Sequence, residues 1–543
     1  MKKIALFLLV LIAFQSFSQK KNAKITTFPE KPKLVVGIVI DQMRYDFLYR
    51  YYEKYSSGGF KRLMSQGFNC KNNHYNYLPT NTAPGHTAIF TGSVPAIHGI
   101  AGNDWYDRKL GRLMYCTEDS TVSTVGSDSK AGKMSPKNLL VTTITDQLRL
   151  SNNFKSRVIG ISQKDRGAIL PAGHTANAAY WFDSKIGGWI SSTFYMNDLP
   201  TWVKDFNAQK LPNKYLEKPW TTLLPIEQYT ESTPDNKPYE GKLGGTVVFP
   251  HEVAANFAGF YETFRATPFG NSITKDFAIS TLNNEQLGKG AATDFLTVSF
   301  SSTDYIGHAF GPNSIETEDA YLRLDKDLEE FLTFLDKYLG KDNVLVFLSA
   351  DHGVANVWEF NVENKISAGT TSPIMSDLRT ELKKIFGEGN WILNTDNYQI
   401  YLNFALMQEK NVSFEQIFGK IREFLLTKEG MANAINLHDL GQIPLNNYQA
   451  EFIKNGYNAK RGGDIMYLPE PAWLDGYLTT GTGHGTLYNY DTHVPLLWYG
   501  WKIPQGETVE RTAITDISAT LAAFLNILEP NGCVGKPILP IFR

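Results

Sequence analysis

Leu34–Ile40 reads LVVGIVI and runs straight into Asp41. An unbroken apolar run of this length, without polar alternation, suits a strand covered on both faces. The pattern recurs. Arg157–Ile161 (RVIGI) leads into Ser162, Gln163 and Lys164; Phe295–Phe300 (FLTVSF) leads towards Asp304; Val344–Leu348 (VLVFL) leads into Asp351 and His352. Between the last two lies Tyr321–Leu339, with apolar residues at helical spacing and Gly340 as a stop. Strand and helix alternation predicts an α/β fold, a doubly wound and mostly parallel sheet with helices on both faces. Such sheets bind ligands beyond the carboxyl ends of their strands, which is where these polar residues fall.

Two stretches break the rhythm. About 171–250 is rich in Trp, Tyr, Pro and Gly, and about 356–471 mixes loops and helices. Both read as inserted cap regions of one catalytic domain spanning 20–543, because long structureless connections are uncommon unless functional. The chain has 543 residues, 42% of them hydrophobic, enough for a large core, and its net charge is −2. Without a basic excess, a nucleic-acid surface is not expected.

The first 19 residues read as a cleaved signal. Lys2 and Lys3 precede an apolar run from Ile4 to Phe14 and a small-residue exit at Ser16–Gln19. That run is too short to span a bilayer, and no later segment is long and apolar enough. A periplasmic or secreted protein is expected, with no membrane span after signal removal. The oligomeric state is open, with a monomer the default.

Three cysteines, Cys70, Cys116 and Cys533, permit at most one internal disulfide, Cys70 with Cys116 being the nearest pair, and none falls in a CxxC pattern. Any metal must therefore use His and carboxylates. Four places offer them: Asp41, the D-x-x-x-H pair Asp304 and His308, the adjacent Asp351 and His352, and His484 in TTGTGHGT. Each alone is more simply a cap, a turn former or a core histidine. Together they supply three carboxylates and three imidazoles, the mixture suited to zinc-like cations. A nucleophile is sought in YLPTNTAPGHTAIFTGS, which offers Thr80, Thr82, Thr87, Thr91 and Ser93. Pro84 and Gly85 read as punctuation before a helix through Thr87 to Phe90, placing Thr82 near a helix N-terminus that favours anions.

The order Asp41, PTNTAPGHTAIFTG, DYIGHAFGP, SADHG, GTGHGT resembles the alkaline phosphatase superfamily. It is most similar to the branch shared by nucleotide pyrophosphatase/phosphodiesterases and PafA-type alkaline phosphatases, over nearly the whole chain as far as the DISATLAAFLNI helix. The resemblance implies an alkaline phosphatase-like fold and two zinc ions. It makes Thr82 the nucleophile, transiently phosphorylated. Asp304, His308 and His484 would hold one ion; Asp41, Asp351 and His352 the other, with Thr82 as an added ligand. In this branch a K-x-R pair and an Asn bind the phosphoryl oxygens, and these fall on Lys164, Arg166 and Asn103. Two cations match the dianion of a phosphate monoester, since Arg offers a planar fork and Lys a point charge. The expected activity is therefore broad-specificity hydrolysis of small phosphate monoesters, with phosphodiesterase or nucleotide pyrophosphatase activity as the alternative. His86 and His98 are expected to order the nucleophile segment.

Overall fold

A computed structural model of the chain describes residues 30–253, 259–476 and 478–542. The expected signal lies outside these residues. Among them, no helix is long and apolar enough to cross a membrane.

Leu34–Ile40 is buried along its whole length. It lies inside a ten-stranded sheet, parallel to Asp294–Phe300 on one side and to Val344–Ser349 on the other, with Ile38 opposite Val298 and Leu348. Val158–Ser162 and then Ala178–Asp183 extend the parallel block beyond Asp294–Phe300. Past Val344–Ser349, Leu496–Gly500 turns antiparallel. The mostly parallel sheet expected from the apolar runs is thus present, and its pairing has a direct consequence. Parallel strands in register end at one edge, so Asp41, Lys164, Asp304 and Asp351 leave the sheet side by side.

The helix read over Tyr321–Leu339 is longer, running over Ile315–Tyr338. Its first turn, rich in Glu, carries no apolar stripe, but Ser314 caps it by accepting a bond from the Thr317 amide. Gly340, at φ 89° and ψ 140°, then takes a positive-φ conformation that glycine adopts readily, just past the helix end.

The two interrupted stretches differ in kind. Within 171–250, Ala178–Asp183 and Gly188–Ser192 are buried strands of the central sheet. The aromatic richness of AYWFD therefore belongs to the main core, and a peripheral insertion can begin only after Ser192. The later stretch contains a separate four-stranded antiparallel sheet of Ile392–Asp396, Gln399–Leu402, Ile465–Pro469 and Met431–Asn436. Its own core includes Leu378, Leu382, Ile400, Ile417, Ile421 and Leu425. Burying each such side chain contributes about 1.5–3 kcal/mol. All three cysteines are free thiols.

Candidate active site

At the carboxyl edge of the sheet, Asp41, Asp351 and His352 bring ligand atoms within 4.8 Å of one another, and so do Asp304, His352 and His484. His352 is common to both groups. His308 Nε2 approaches from the helix side, 3.2 Å from Asp304 Oδ1. The first group is the one expected; around Asp304 the tightest set contains His352 where His308 was expected.

The imidazoles are held in one tautomer. His308 Nδ1 faces the Thr482 carbonyl at 2.8 Å, His484 Nδ1 the Thr80 carbonyl at 2.7 Å, and His352 Nδ1 that of Gly353 at 2.9 Å. A carbonyl only accepts, so each Nδ1 carries a proton and each Nε2 is the atom turned to the site, where its lone pair is available to a cation. The rings of His352 and His484 stack 3.5 Å apart. Burial, followed by its imidazole neighbours His352 and His308, pushes the His484 pKa well below its ordinary value.

Charge is unbalanced here. Three buried carboxylates, Asp41, Asp304 and Asp351, face one ammonium. Lys164 Nζ lies 2.7 Å from Asp41 Oδ2 and 2.5 Å from Asp304 Oδ2. Both oxygens of Asp41, Oδ2 of Asp351 and Nε2 of His352 are buried without a hydrogen bond, the Lys164–Asp41 contact being an ion pair lacking hydrogen-bond alignment. Burial, then repulsion from Asp304 and Asp351, drives the Asp41 pKa well above the usual carboxylate range. Burial acts on Asp304 too, but Lys164 and His308 outweigh it and hold its pKa well below that range. Buried carboxylate oxygens without hydrogen bonds, in excess of the one ammonium and beside imidazole Nε2 atoms, are what divalent cations satisfy. The residues fit a metal centre.

The segment expected to carry the nucleophile forms a helix over Thr82–Thr91, earlier than the expected start. Pro84 and Gly85 lie inside its first turn, where a missing N–H costs nothing. Thr82 is the first helical residue and is 1% exposed. Its Oγ1 lies 3.5 Å from Lys164 Nζ. A Cβ on Gly85 would run into the Asp351 carbonyl, so glycine lets this helix pack against the strand end that bears Asp351 and His352. His86 spends both nitrogens, Nδ1 on the Thr82 carbonyl at 2.9 Å and Nε2 on Ser299 Oγ at 2.8 Å. Ile100 N donates to His98 Nδ1 at 3.1 Å. Both histidines thus order local backbone.

Asn103 Oδ1 accepts the Ala83 amide at 2.9 Å, which sets it against the helix start with its amide nitrogen unspent. Arg166 is the second residue of the helix Asp165–Ala172 that follows Lys164, close enough that the two like charges oppose one another. Arg166 Nη1 donates to Tyr115 Oη at 2.9 Å, and Tyr115 Oη donates onward to Asp165 Oδ1 at 2.9 Å.

Sequence reading missed two supports. Tyr115 had no signal, because its partner is set by the pairing of Asp104–Asp107 with Arg112–Tyr115. Asn397, at the tip of the hairpin joining Ile392–Asp396 and Gln399–Leu402, accepts from Asn81 Nδ2 at 3.0 Å and donates to the Asp104 carbonyl at 2.7 Å. The inserted sheet thereby touches both flanks of the nucleophile segment.

This arrangement, two His–carboxylate clusters around a helix-leading threonine, defines a class, and residues 35–488 match the type I phosphodiesterase / nucleotide pyrophosphatase family. The chain belongs to that family. It is similar to alkaline phosphatase PhoV of Synechococcus elongatus, at 48% identity over 100% of both chains. It is also similar to alkaline phosphatase PafA of Elizabethkingia meningoseptica, at 46% identity over 96% of both. The PafA crystal structure superposes with a TM-score of 0.92 over 95% of this chain and 100% of that one, at 46% identity. A PafA mutant with a Thr→Ser change and Asn, Lys and Arg each changed to Ala gives a TM-score of 0.91 at 45% identity, over 95% and 99% of the two chains.

Proposed function

We propose that the chain is an exported, zinc-dependent hydrolase of phosphate monoesters with broad specificity, acting through a phospho-threonine at Thr82. The single observation that carries the monoester reading is the Lys164–Arg166 pair at the same sheet edge as Thr82 and the carboxylate–imidazole clusters. A monoester is a dianion; a diester has one charge fewer and a second organic group. Two cations beside the nucleophile favour the first. PhoV and PafA, which match over nearly their whole length, carry the name alkaline phosphatase, and the PafA mutant is altered at a Thr, an Asn, a Lys and an Arg, the residue types of Thr82, Asn103, Lys164 and Arg166.

In this reading Asp304, His308 and His484 hold one zinc ion, and Asp41, Asp351 and His352 the other, with Thr82 beside it. Bound zinc supplies Lewis acidity, which makes a hydroxyl or water nucleophilic at neutral pH and stabilises a departing oxygen. The chain's residues do the rest. The start of the Thr82–Thr91 helix offers a dipole that favours the phosphoryl group. Arg166 presents its guanidinium to the non-bridging oxygens, Asn103 its amide nitrogen and Lys164 its ammonium. Thr82 Oγ1 bonds to phosphorus as the bond from phosphorus to the ester oxygen breaks, and the threonine proton ends on that departing oxygen, which leaves as the alcohol. Water then attacks the same phosphorus from the opposite side, freeing inorganic phosphate and restoring the threonine. The basic and apolar start of the sequence supports export to the periplasm or beyond.

The test compares turnover of an aryl phosphate with that of its bis-aryl diester. Lys164→Ala and Arg166→Ala are expected to lower monoester kcat/KM by about 100-fold or more, with diester turnover falling far less. Diester turnover equal to or above the monoester rate in the wild type defeats the proposal.

A further inference from the structure

Gln42 follows Asp41 directly and stands in the left-handed region at φ 65°, although it is not glycine. Such a conformation costs a residue with a Cβ about 1 kcal/mol and persists only where surrounding contacts hold it. The contacts are specific. The Gln42 backbone N–H donates to Asp351 Oδ1 at 3.0 Å. Its side-chain Nε2 donates to Asp304 Oδ1 at 2.9 Å. One residue thus reaches a carboxylate in each ligand cluster while succeeding a third, Asp41, in the chain. The side chain is 2% exposed.

The opposite wall is shaped to admit it. A Cβ on Gly307 would collide with Gln42 Oε1. Gly307 is the G of DYIGH, three residues after Asp304 and one before His308, on the helix Ser302–Phe310. Its lack of a side chain leaves the slot in which the Gln42 amide lies. Thr303 Oγ1 adds a bond to the Asp41 carbonyl at 2.6 Å, tying the same helix to the end of the first strand.

We infer that Gln42 is a positioning residue that fixes the spacing of the two ligand clusters, with Gly307 as its receiving slot. It takes Oδ1 of Asp351, leaving Oδ2 free of hydrogen bonds 3.6 Å from His352 Nε2, and it ties Oδ1 of Asp304, the oxygen that lies 3.2 Å from His308 Nε2, while Lys164 holds the other. The left-handed backbone is what lets one residue serve both. This rests on the two-cation reading above.

Gln42→Gly isolates the amide, because glycine keeps the left-handed backbone and the N–H to Asp351 without strain. Zinc affinity is measured by competition with a chromophoric chelator on metal-depleted protein, with thermal melting of the same samples. The expected result is weaker zinc binding by about 10- to 100-fold, the range typical of lost supports to metal ligands, with the metal-depleted protein melting at or above the wild-type temperature. Gly307→Ala should weaken zinc binding comparably, and Gln42→Gly/Gly307→Ala should be no worse than Gly307→Ala alone, since the collision has gone. Wild-type affinity in Gln42→Gly, or simple additivity in the double variant, overturns the inference. A wild type that takes up no zinc sinks the two-cation reading and this inference together, whereas equal uptake by wild type and Gln42→Gly defeats the inference alone.

Discussion

The ammonium of Lys164 lies 2.5 Å from Asp304 Oδ2, in a buried pocket where a single ammonium faces three carboxylates. Its pKa is raised: burial opposes the charge, but Asp304 and Asp41 more than compensate. Lys164 therefore remains charged throughout the range in which the protein is handled. It links Asp41 and Asp304 to Thr82 Oγ1, which lies 3.5 Å from the same ammonium.

The first prediction follows from that coupling. Lys164→Ala leaves buried carboxylates without their counter-charge, a loss of about 3–5 kcal/mol in comparable buried pairs. Metal-depleted Lys164→Ala should melt well below metal-depleted wild type, and saturating zinc should close most of the gap. Equal melting of the two depleted proteins would show that this ion pair carries no stability.

The second concerns the nucleophile. Thr82→Ala should reduce monoester kcat by several orders of magnitude while zinc uptake continues, because six other ligands remain. Acid quenching during turnover should trap phosphate on the peptide containing Thr82 in the wild type only. Activity that survives Thr82→Ala moves the nucleophile elsewhere.

These expectations draw on features that were unequally legible in the sequence. Strands buried on both faces leave unbroken apolar runs, so Leu34–Ile40 and Val344–Ser349 could be read directly, along with the acidic residues that come after them. The start of the nucleophile helix could not, since Pro84 and Gly85 read as breakers although the first turn tolerates both. Gln42 was silent because its role depends on a helix 262 residues away in the chain. Asn397 meets Asn81 across 316 residues and belongs to a different sheet. Periodicity reports what a segment buries; it does not report which segment arrives opposite.

The third prediction isolates the support of Arg166. Tyr115→Phe keeps the ring but removes the hydroxyl that receives Arg166 Nη1 and bonds Asp165. A net hydrogen bond is worth about 1 kcal/mol, so monoester kcat/KM should fall roughly fivefold. In an Arg166→Ala background the same change should have little further effect. Additive losses would show that Tyr115 acts independently of Arg166.

The fourth is a pH dependence away from the metal centre. His174 places Nδ1 3.3 Å from Asp146 Oδ2 and Nε2 3.1 Å from the Leu139 carbonyl. Both partners are acceptors, so the doubly protonated ring satisfies both. Its pKa is raised, chiefly by the bond to Asp146 and against the effect of burial. A raised folded value means the contribution is complete below the unfolded value of about 6.5 and is lost as pH climbs through the folded one. The stability gap between wild type and His174→Gln should be widest in mildly acidic buffer and shrink towards alkaline pH. A gap that grows with pH reverses the assignment.

The last concerns why a separate sheet is inserted beside the site. The hairpin tip places Asn397 at φ 51° and Tyr398 at φ 60°, both left-handed, a conformation asparagine tolerates well. A Cβ on Gly102 would meet the Asn397 side chain, so the tip presses on the turn that carries Asn103 as well as on Asn81. Asn397→Gly preserves that backbone and deletes the side-chain bonds to Asn81 and to the Asp104 carbonyl, along with one to Asp396 Oδ2 within the hairpin. The two that leave the hairpin, at about 1 kcal/mol each, bound the effect on turnover at roughly 30-fold. Monoester kcat/KM should drop within that limit, while melting of the inserted sheet, whose core of Leu378, Ile400 and Ile421 is untouched, stays close to wild type. Asn81→Ala should be non-additive with Asn397→Gly, because each removes the same contact. If Asn397→Gly turns over monoesters at the wild-type rate, the inserted sheet braces nothing at Thr82, and its contact with the nucleophile segment is packing alone.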